Sequence, residues 1–403
     1  RSFGEDPREV SRQGRAFVAG IQDAGAIATG KHFPGHGDTE TDSHLALPVI
    51  RVTRERMDTM ELVPFQAAID GGIEGIMTAH IAIPSLTGSE RTPATLSGGV
   101  LTDLLRDEMG FDGLLFTDAM DMSAIDRLFS RADATVRALE AGSDVILMPP
   151  DPMAARDGIV NAVLDGRITE ERLDSSVLRI LGAKERVGLH RDRMVPVEDV
   201  HRKVGIPAHE AVAQEVADRS ITLLKNERNL LPLLGTRSAR VLSVTYRRSS
   251  DLLAGRILNG GLRARYPRLV TANLDARTPS EVYDGLLRRA RSSNLVVVNL
   301  FVNAVSYAGN IALPDPMMEF IQELASSRVP HVVISFGNPY LINDFPDVQA
   351  YLLAWSAAEV SQRAAARALF GDIPIQGRTP TMIPPAYQIG DGIFLPVRTR
   401  RDD

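Results

Sequence analysis

Between Lys31 and His44 the chain reads KHFPGHGDTETDSH, a segment in which Lys31, His32, His36, Asp38, Glu40, Asp42 and His44 can all carry or move a proton. Pro34, Gly35 and Gly37 give it a tight, irregular path. A loop gains little stability from so many titratable groups, whereas catalytic and binding groups concentrate on loops held by a rigid scaffold. Three chemistries could use it. A metal site would find His and Asp ligands, but a two-ligand helical spacing such as H-x-x-x-H or H-E-x-x-H is not convincing in a loop so rich in Gly and Pro. A phosphate cradle would need a GK[ST] element or glycines that open a helix, and neither is present. An Asp-x-His dyad, Asp42 with His44, needs only a carboxylate that orients an imidazole for proton transfer, and it fits best.

The second chemical segment is GLLFTDAMDM, which places Asp118 at the end of an apolar run. Two roles compete for this acid: a carboxylate presented over a site, or the N-cap of the following helix, since Asp is a favoured cap. Asp121 reads as that helix's solvated or capping acid and Met120 as a packing residue. A strand-end carboxylate opposite a proton-shuttling histidine suits double displacement at a sugar carbon, with attack and leaving-group protonation done by different groups.

The elements around these segments alternate. Residues 26–32, 75–80, 113–118 and 143–148 read as short apolar strands, each ending in polar or turn-forming residues. Helix-period stretches lie at 10–24, 53–71, 97–109, 132–141 and 152–165, so the pattern is β–α repeated with parallel strands. Chemistry at the C-terminal ends of the strands is what a (β/α)8 TIM-type barrel shows. Only four units are visible where a closed barrel needs eight, so the expectation is the C-terminal half of a barrel, with an open four-stranded α/β domain as the alternative. The barrel part should occupy 1–187, with a long helix at 170–187; a charged, Pro-containing linker follows at 188–212, and a second α/β domain of the sandwich type at 213–403. Its strands are expected at 240–246, 269–273, 294–302, 331–336 and 350–355, with helices at 280–291 and 315–326 among those between them.

Composition narrows the partners. A chain of 403 residues, 44% hydrophobic and 24% charged, folds as more than one domain. A net charge of −6 without a long basic run argues against nucleic acid or a membrane surface and favours a neutral or mildly polar ligand. With no cysteine there is no disulfide, thiolate metal site or cysteine nucleophile. No apolar run approaches the roughly 18–20 residues of a membrane span. Residues 1–20 lack the pattern of a signal peptide, which leaves cytoplasm and cell envelope both open.

Taken together, RSFGEDP, KHFPGHGDTETDSH, MTAHI, FTDAMDM and, much later, SITLLKNERNLLPL resemble glycoside hydrolase family 3, in particular its bacterial N-acetyl-β-glucosaminidase branch, over most of the chain. The sharpest part is the histidine loop: family 3 β-glucosidases share the Lys-His pair but lack the D-S-H element and take their acid/base from the second domain. The resemblance implies Asp118 as nucleophile, His44 as acid/base held by Asp42, and Arg1, Lys31 and His32 as holders of the sugar hydroxyls. His36 and His80 would shape the pocket or serve structure alone, and Asn303, Tyr307 and Asn338 could reach over it from the second domain or be surface loops. It implies no metal, nucleotide, flavin or other cofactor, and a small glycan or muropeptide as substrate. Other groups of the family's sugar site come from strands before RSFG, so the pocket as given is incomplete. The rival expectations are a family 3 β-glucosidase or xylosidase, a β-N-acetylglucosaminide phosphorylase, and a glycan-binding scaffold without activity.

Overall fold

The computed structural model describes residues 3–37, 46–234, 237–303 and 312–398, and the chain divides into two compact units, Arg1–Val195 and Pro196–Asp403. In the first, β1 (Thr29–Phe33), β2 (Gly75–Thr78) and β3 (Leu114–Phe116) form a parallel sheet in the order β1-β2-β3. Gly30 faces Ile76 and Ile76 faces Leu115 across the sheet. β2 and β3 are largely buried, as strands covered on both faces must be, whereas β1 buries Phe33 and leaves Thr29 and Lys31 exposed. Close approach fixes one residue at the start of β3: a Cβ at Gly113 would lie 2.4 Å from the Glu74 carbonyl oxygen, so only glycine brings the strands together there. Helix Leu62–Asp70 crosses from β1 to β2, and helix Gly99–Glu108 from β2 to β3.

Three expectations for this unit need correction. The stretch at 143–148 is not a strand; it makes a single parallel bridge, Phe116 with Val145. The Leu147 amide donates to the Thr117 hydroxyl at 2.9 Å and Met148 turns away at φ 47°, so the ladder cannot propagate. The helix expected at 53–71 is two, Arg54–Thr59 and Leu62–Asp70, because Pro64 has no amide to continue the first through Met60. The segment at 97–109 is π-helical, with the Met109 amide bonded to the Leu104 carbonyl at 2.9 Å.

Below the sheet, the fully buried Asp144 carboxylate ties three elements together. It accepts from Arg106 Nη2 at 2.8 Å, from the Leu115 amide at 3.0 Å and from Ser176 Oγ at 2.6 Å, while Arg106 Nη1 also donates to the Phe111 and Gly113 carbonyls. Ser176 lies on helix Glu170–Arg186, so the π-helix, β3 and this long helix share one acid. Replacing it leaves Arg106 buried without its counter-charge, and breaking such a pair costs about 3–5 kcal/mol. Asp144→Ala is therefore expected to lower the unfolding free energy of its unit by that amount in denaturant titration. A loss within 1 kcal/mol, on the scale of an exposed ion pair, would show that the network is not what braces β3.

The second unit holds a six-stranded sheet in the order β4-β9-β8-β7-β5-β6: β4 (Thr222–Asn226), β5 (Val241–Tyr246), β6 (Val270–Leu274), β7 (Leu295–Leu300), β8 (His331–Ser335) and β9 (Ala350–Leu353). All neighbours are parallel except β4 with β9. Leu258, Leu262 and Ala365 pack on one face, and Tyr283, Met317, Phe320 and Ile321 on the other. Helices Arg256–Arg265 and Glu359–Leu369 thus cover one side, and Ser280–Arg291 and Asp315–Ser326 its opposite. The five strands expected here are present; β4, set in the SITLLKN segment, was not among them. Helix Pro207–Ser220 begins inside the stretch expected to be linker, with Pro207 at its first position.

Candidate active site

Two strand ends bring the site together. The pairing of β1 with β2 slips at His32: Lys31 faces Met77 and Phe33 faces Thr78, so His32 is the extra residue of a bulge, a device that re-aims a side chain. The Lys31–His32 and Phe33–Pro34 peptide bonds are cis. Two residues beyond β3 stands Asp118, and His32 Nε2 lies 3.5 Å from its Oδ2. The other carboxylate oxygen accepts the Ala119 amide at 2.8 Å. The side chains remain 27% and 21% exposed, enough for a ligand to reach both. The end of β3 is itself clamped, with the Thr117 amide on the Val145 carbonyl at 3.0 Å and the Met120 amide on Leu147 at 2.9 Å.

This geometry decides between the two roles open to Asp118. The next helical turn, Ser123–Asp126, has Met122 at its N-cap, so the carboxylate caps no helix and is presented at the strand ends. Asp121 is exposed and caps nothing either, and Met120 packs with Leu96, Ile125 and Ala138. A partly exposed carboxylate with one oxygen held by a backbone amide and the other beside an imidazole can attack an electrophilic carbon or accept a hydroxyl.

Around this pair the other expected residues separate. Lys31 is exposed and lines a groove of about 440 Å³ along β1 with Phe17, Glu61 and Phe65. His36 stacks edge-on against His32, ring centroids 5.8 Å apart. Beneath the loop, Gly35 at φ +124° passes so close to Glu61 that a Cβ would lie 2.7 Å from the Glu61 Cβ, which makes glycine obligatory there; Glu61 is held by Arg56 at 3.0 Å. Arg1, Asp42, His44 and Tyr307 lie outside the described residues. Asn338 caps the turn Pro339–Asp344 by accepting the Tyr340 amide, and its own amide donates to the Val302 carbonyl next to Asn303, which is a packing arrangement. Among the described residues no group of three or more His, Asp and Glu side chains could hold a metal ion, and no helix is long and apolar enough to cross a membrane.

Sequence reasoning missed Thr95. His80, just past β2 and 1% exposed, sets its Nε2 3.0 Å from the Ala119 carbonyl and its Nδ1 2.8 Å from Thr95 Oγ1. Burial pushes the His80 pKa down, opposed by its bond to Ala119 and by the Asp118 and Asp121 carboxylates. Nothing in the RTPATLS segment marks Thr95 out; only the fold brings it under His80.

Comparison with known proteins places these strands in a family. Residues 1–183 match the Glycosyl hydrolase family 3 N terminal domain, and residues 221–395 the Glycosyl hydrolase family 3 C-terminal domain. A relative from Cellulomonas fimi, described as a beta-N-acetylglucosaminidase/beta-glucosidase, is 32% identical over 94% of this chain and 70% of its own length. The chain belongs to glycosyl hydrolase family 3. A family 3 beta-N-acetylglucosaminidase from Paenibacillus has a solved structure that superposes at a TM-score of 0.79 with 32% identity, covering 95% of this chain and 72% of that one. The Beta-hexosaminidase A of Pseudoalteromonas piscicida is 35% identical over 58% of this chain and 42% of its own length. The two-domain α/β organisation of family 3 is thus the organisation of this glycoside hydrolase, and both chemical segments, 31–44 and 113–122, fall within its N-terminal domain.

Proposed function

We propose that this family 3 chain serves the retaining hydrolysis of terminal β-linked N-acetylglucosamine from glycans such as peptidoglycan fragments. The observation that carries this reading is the Asp118 carboxylate facing His32 at the ends of β3 and β1, on either side of β2, with the histidine loop following directly from the same strand as His32. On this reading Asp118 attacks the anomeric carbon as His44, oriented by Asp42, gives its proton to the leaving oxygen; the glycosidic C–O bond breaks and an ester to Asp118 forms. Water then attacks the same carbon, His44 takes its proton, and the ester bond breaks. Two inversions amount to retention. Arg1, Lys31 and His32 would hold the sugar hydroxyls. The relatives' descriptions as N-acetylglucosaminidases support the choice of sugar.

The same proposal extends to the fold in detail: β1–β3 and the 143–148 segment as part of a (β/α)8 barrel at 1–187, a linker over 188–212 and a sandwich domain at 213–403. The groove on the outer side of β1, lined by apolar residues such as Phe3, Phe17 and Ile27, supports a further layer there.

A slow-reacting fluorinated N-acetylglucosaminide is expected to label the enzyme on the peptide containing Asp118, read by mass mapping; label on another peptide, or none, would sink the assignment. The description of the Cellulomonas relative as also a beta-glucosidase favours a second reading, a dual glucosidase. Comparable turnover on aryl glucosides would support it. Product analysis with and without phosphate is expected to give free N-acetylglucosamine in both; a sugar 1-phosphate would indicate phosphorolysis instead.

A further inference from the structure

We infer that His80 is a positioning residue for the proposed nucleophile: its Nε2–H holds the Ala119 carbonyl and thereby fixes the orientation of the Asp118 carboxylate. The inference rests on the reading of Asp118 given above. Its physical basis is that the backbone of residue 119 is held on both sides, at its amide in the 118–119 peptide and at its carbonyl in the 119–120 peptide. The amide donates to Asp118 Oδ1 at 2.8 Å, and the carbonyl receives His80 Nε2 at 3.0 Å. Loss of the hold on the carbonyl would free the backbone of residue 119 to rotate, which would shift its amide away from the carboxylate and release the side chain to other rotamers.

Proton accounting assigns the tautomer. A carbonyl only accepts, so Nε2 carries the hydrogen. Thr95 Oγ1 stands 2.8 Å from His80 Nδ1, 2.9 Å from the Ala79 carbonyl and 2.8 Å from Thr78 Oγ1. Thr95 donates to the Ala79 carbonyl, and its one proton is shared with Nδ1, an acceptor in a neutral ring, while Thr78 supplies a proton to the Thr95 oxygen. Burial favours the neutral ring, and the Thr78 and Thr95 hydroxyls beside it are themselves buried. This chain of donors runs Thr78, Thr95, His80, Ala119, and ends at the Asp118 carboxylate. A histidine that merely filled space would not need Nε2 on the one carbonyl adjacent to the reacting acid.

The chemistry suggests a paired test in the full chain. His80→Gln places an amide N–H near the position of Nε2, whereas His80→Asn reaches only as far as Nδ1. Labelling of Asp118 by the fluorinated sugar and steady-state kinetics are measured on both, with near-UV circular dichroism as the check of fold. His80→Asn is expected to slow labelling and lower kcat by about 10- to 100-fold, the scale of a misplaced reacting group, with KM nearly unchanged. His80→Gln is expected to recover most of that loss. Equal activities for folded Asn and Gln variants, or a loss confined to KM, would overturn the inference while normal labelling of the unsubstituted protein left Asp118 in place. Absence of label in the unsubstituted protein would overturn the nucleophile reading and this inference with it. Should the His80 variants not fold, Thr95→Val against Thr95→Ser reads the same chain: Val is expected to lose rate and Ser to keep it, and equal rates would overturn the inference.

Discussion

Replacing Asp118 by Ala is expected to reduce turnover by about 10⁴-fold or more, the scale on which loss of a nucleophile acts elsewhere. The substitution removes the atom that forms the glycosyl ester and also the negative charge that faces His32 at 3.5 Å. Stability should change little, because the side chain is 21% exposed and its partners are one imidazole and one backbone amide, so a near-native melting temperature separates lost chemistry from lost fold. The stereochemistry of rescue is the decisive readout. With azide and an activated aryl N-acetylglucosaminide, the vacated space admits an anion to the face that Asp118 attacked, and single displacement then gives the α-glycosyl azide. A β-azide, or activity that survives the substitution, would place the nucleophile elsewhere.

The parts of this site visible from sequence are those that depend on local pattern. Each short apolar run ended in a polar residue, so the strand ends bearing His32, His80 and Asp118 could be located before any neighbour was known. Met120 and the packing of the second domain's strands followed for the same reason, since burial on both faces leaves a continuous apolar run such as LVVVNL. What was not visible depends on contacts between distant segments. The bulge that turns His32 toward Asp118 is set by how β1 registers against β2, and no residue type announces it. Asp118 could not be separated from a helix cap until the next turn was seen to start at Ser123. The π-helix at Gly99–Glu108 keeps an apolar spacing that reads equally as α-helix, and the break at Met60 depended on weighing Pro64 above the periodicity around it. Thr95 and Asp144 are single polar residues in unremarkable segments, made consequential by burial beside His80 and Arg106.

For His44, the expected result is a leaving-group dependence. His44→Ala should lower kcat/KM by about 10²–10⁴-fold on N-acetylglucosaminides with poor leaving groups, the usual contribution of a general acid, and far less on dinitrophenyl glycosides that depart without a proton. Because the acid must be protonated for the first step, activity is expected to fall as rising pH deprotonates it, and this alkaline limb should vanish in the variant. Asp42→Asn keeps the imidazole but weakens its orientation, so an intermediate loss with the limb retained is expected. Azide now acts at the second step: Asp118 still forms the ester on the first face, the anion replaces water, and the product is the β-glycosyl azide, opposite to that expected from Asp118→Ala. Retention of both the alkaline limb and full activity on poor leaving groups in His44→Ala would move the acid/base out of the 31–44 loop. The second domain, from which family 3 β-glucosidases draw theirs, would then be the place to look.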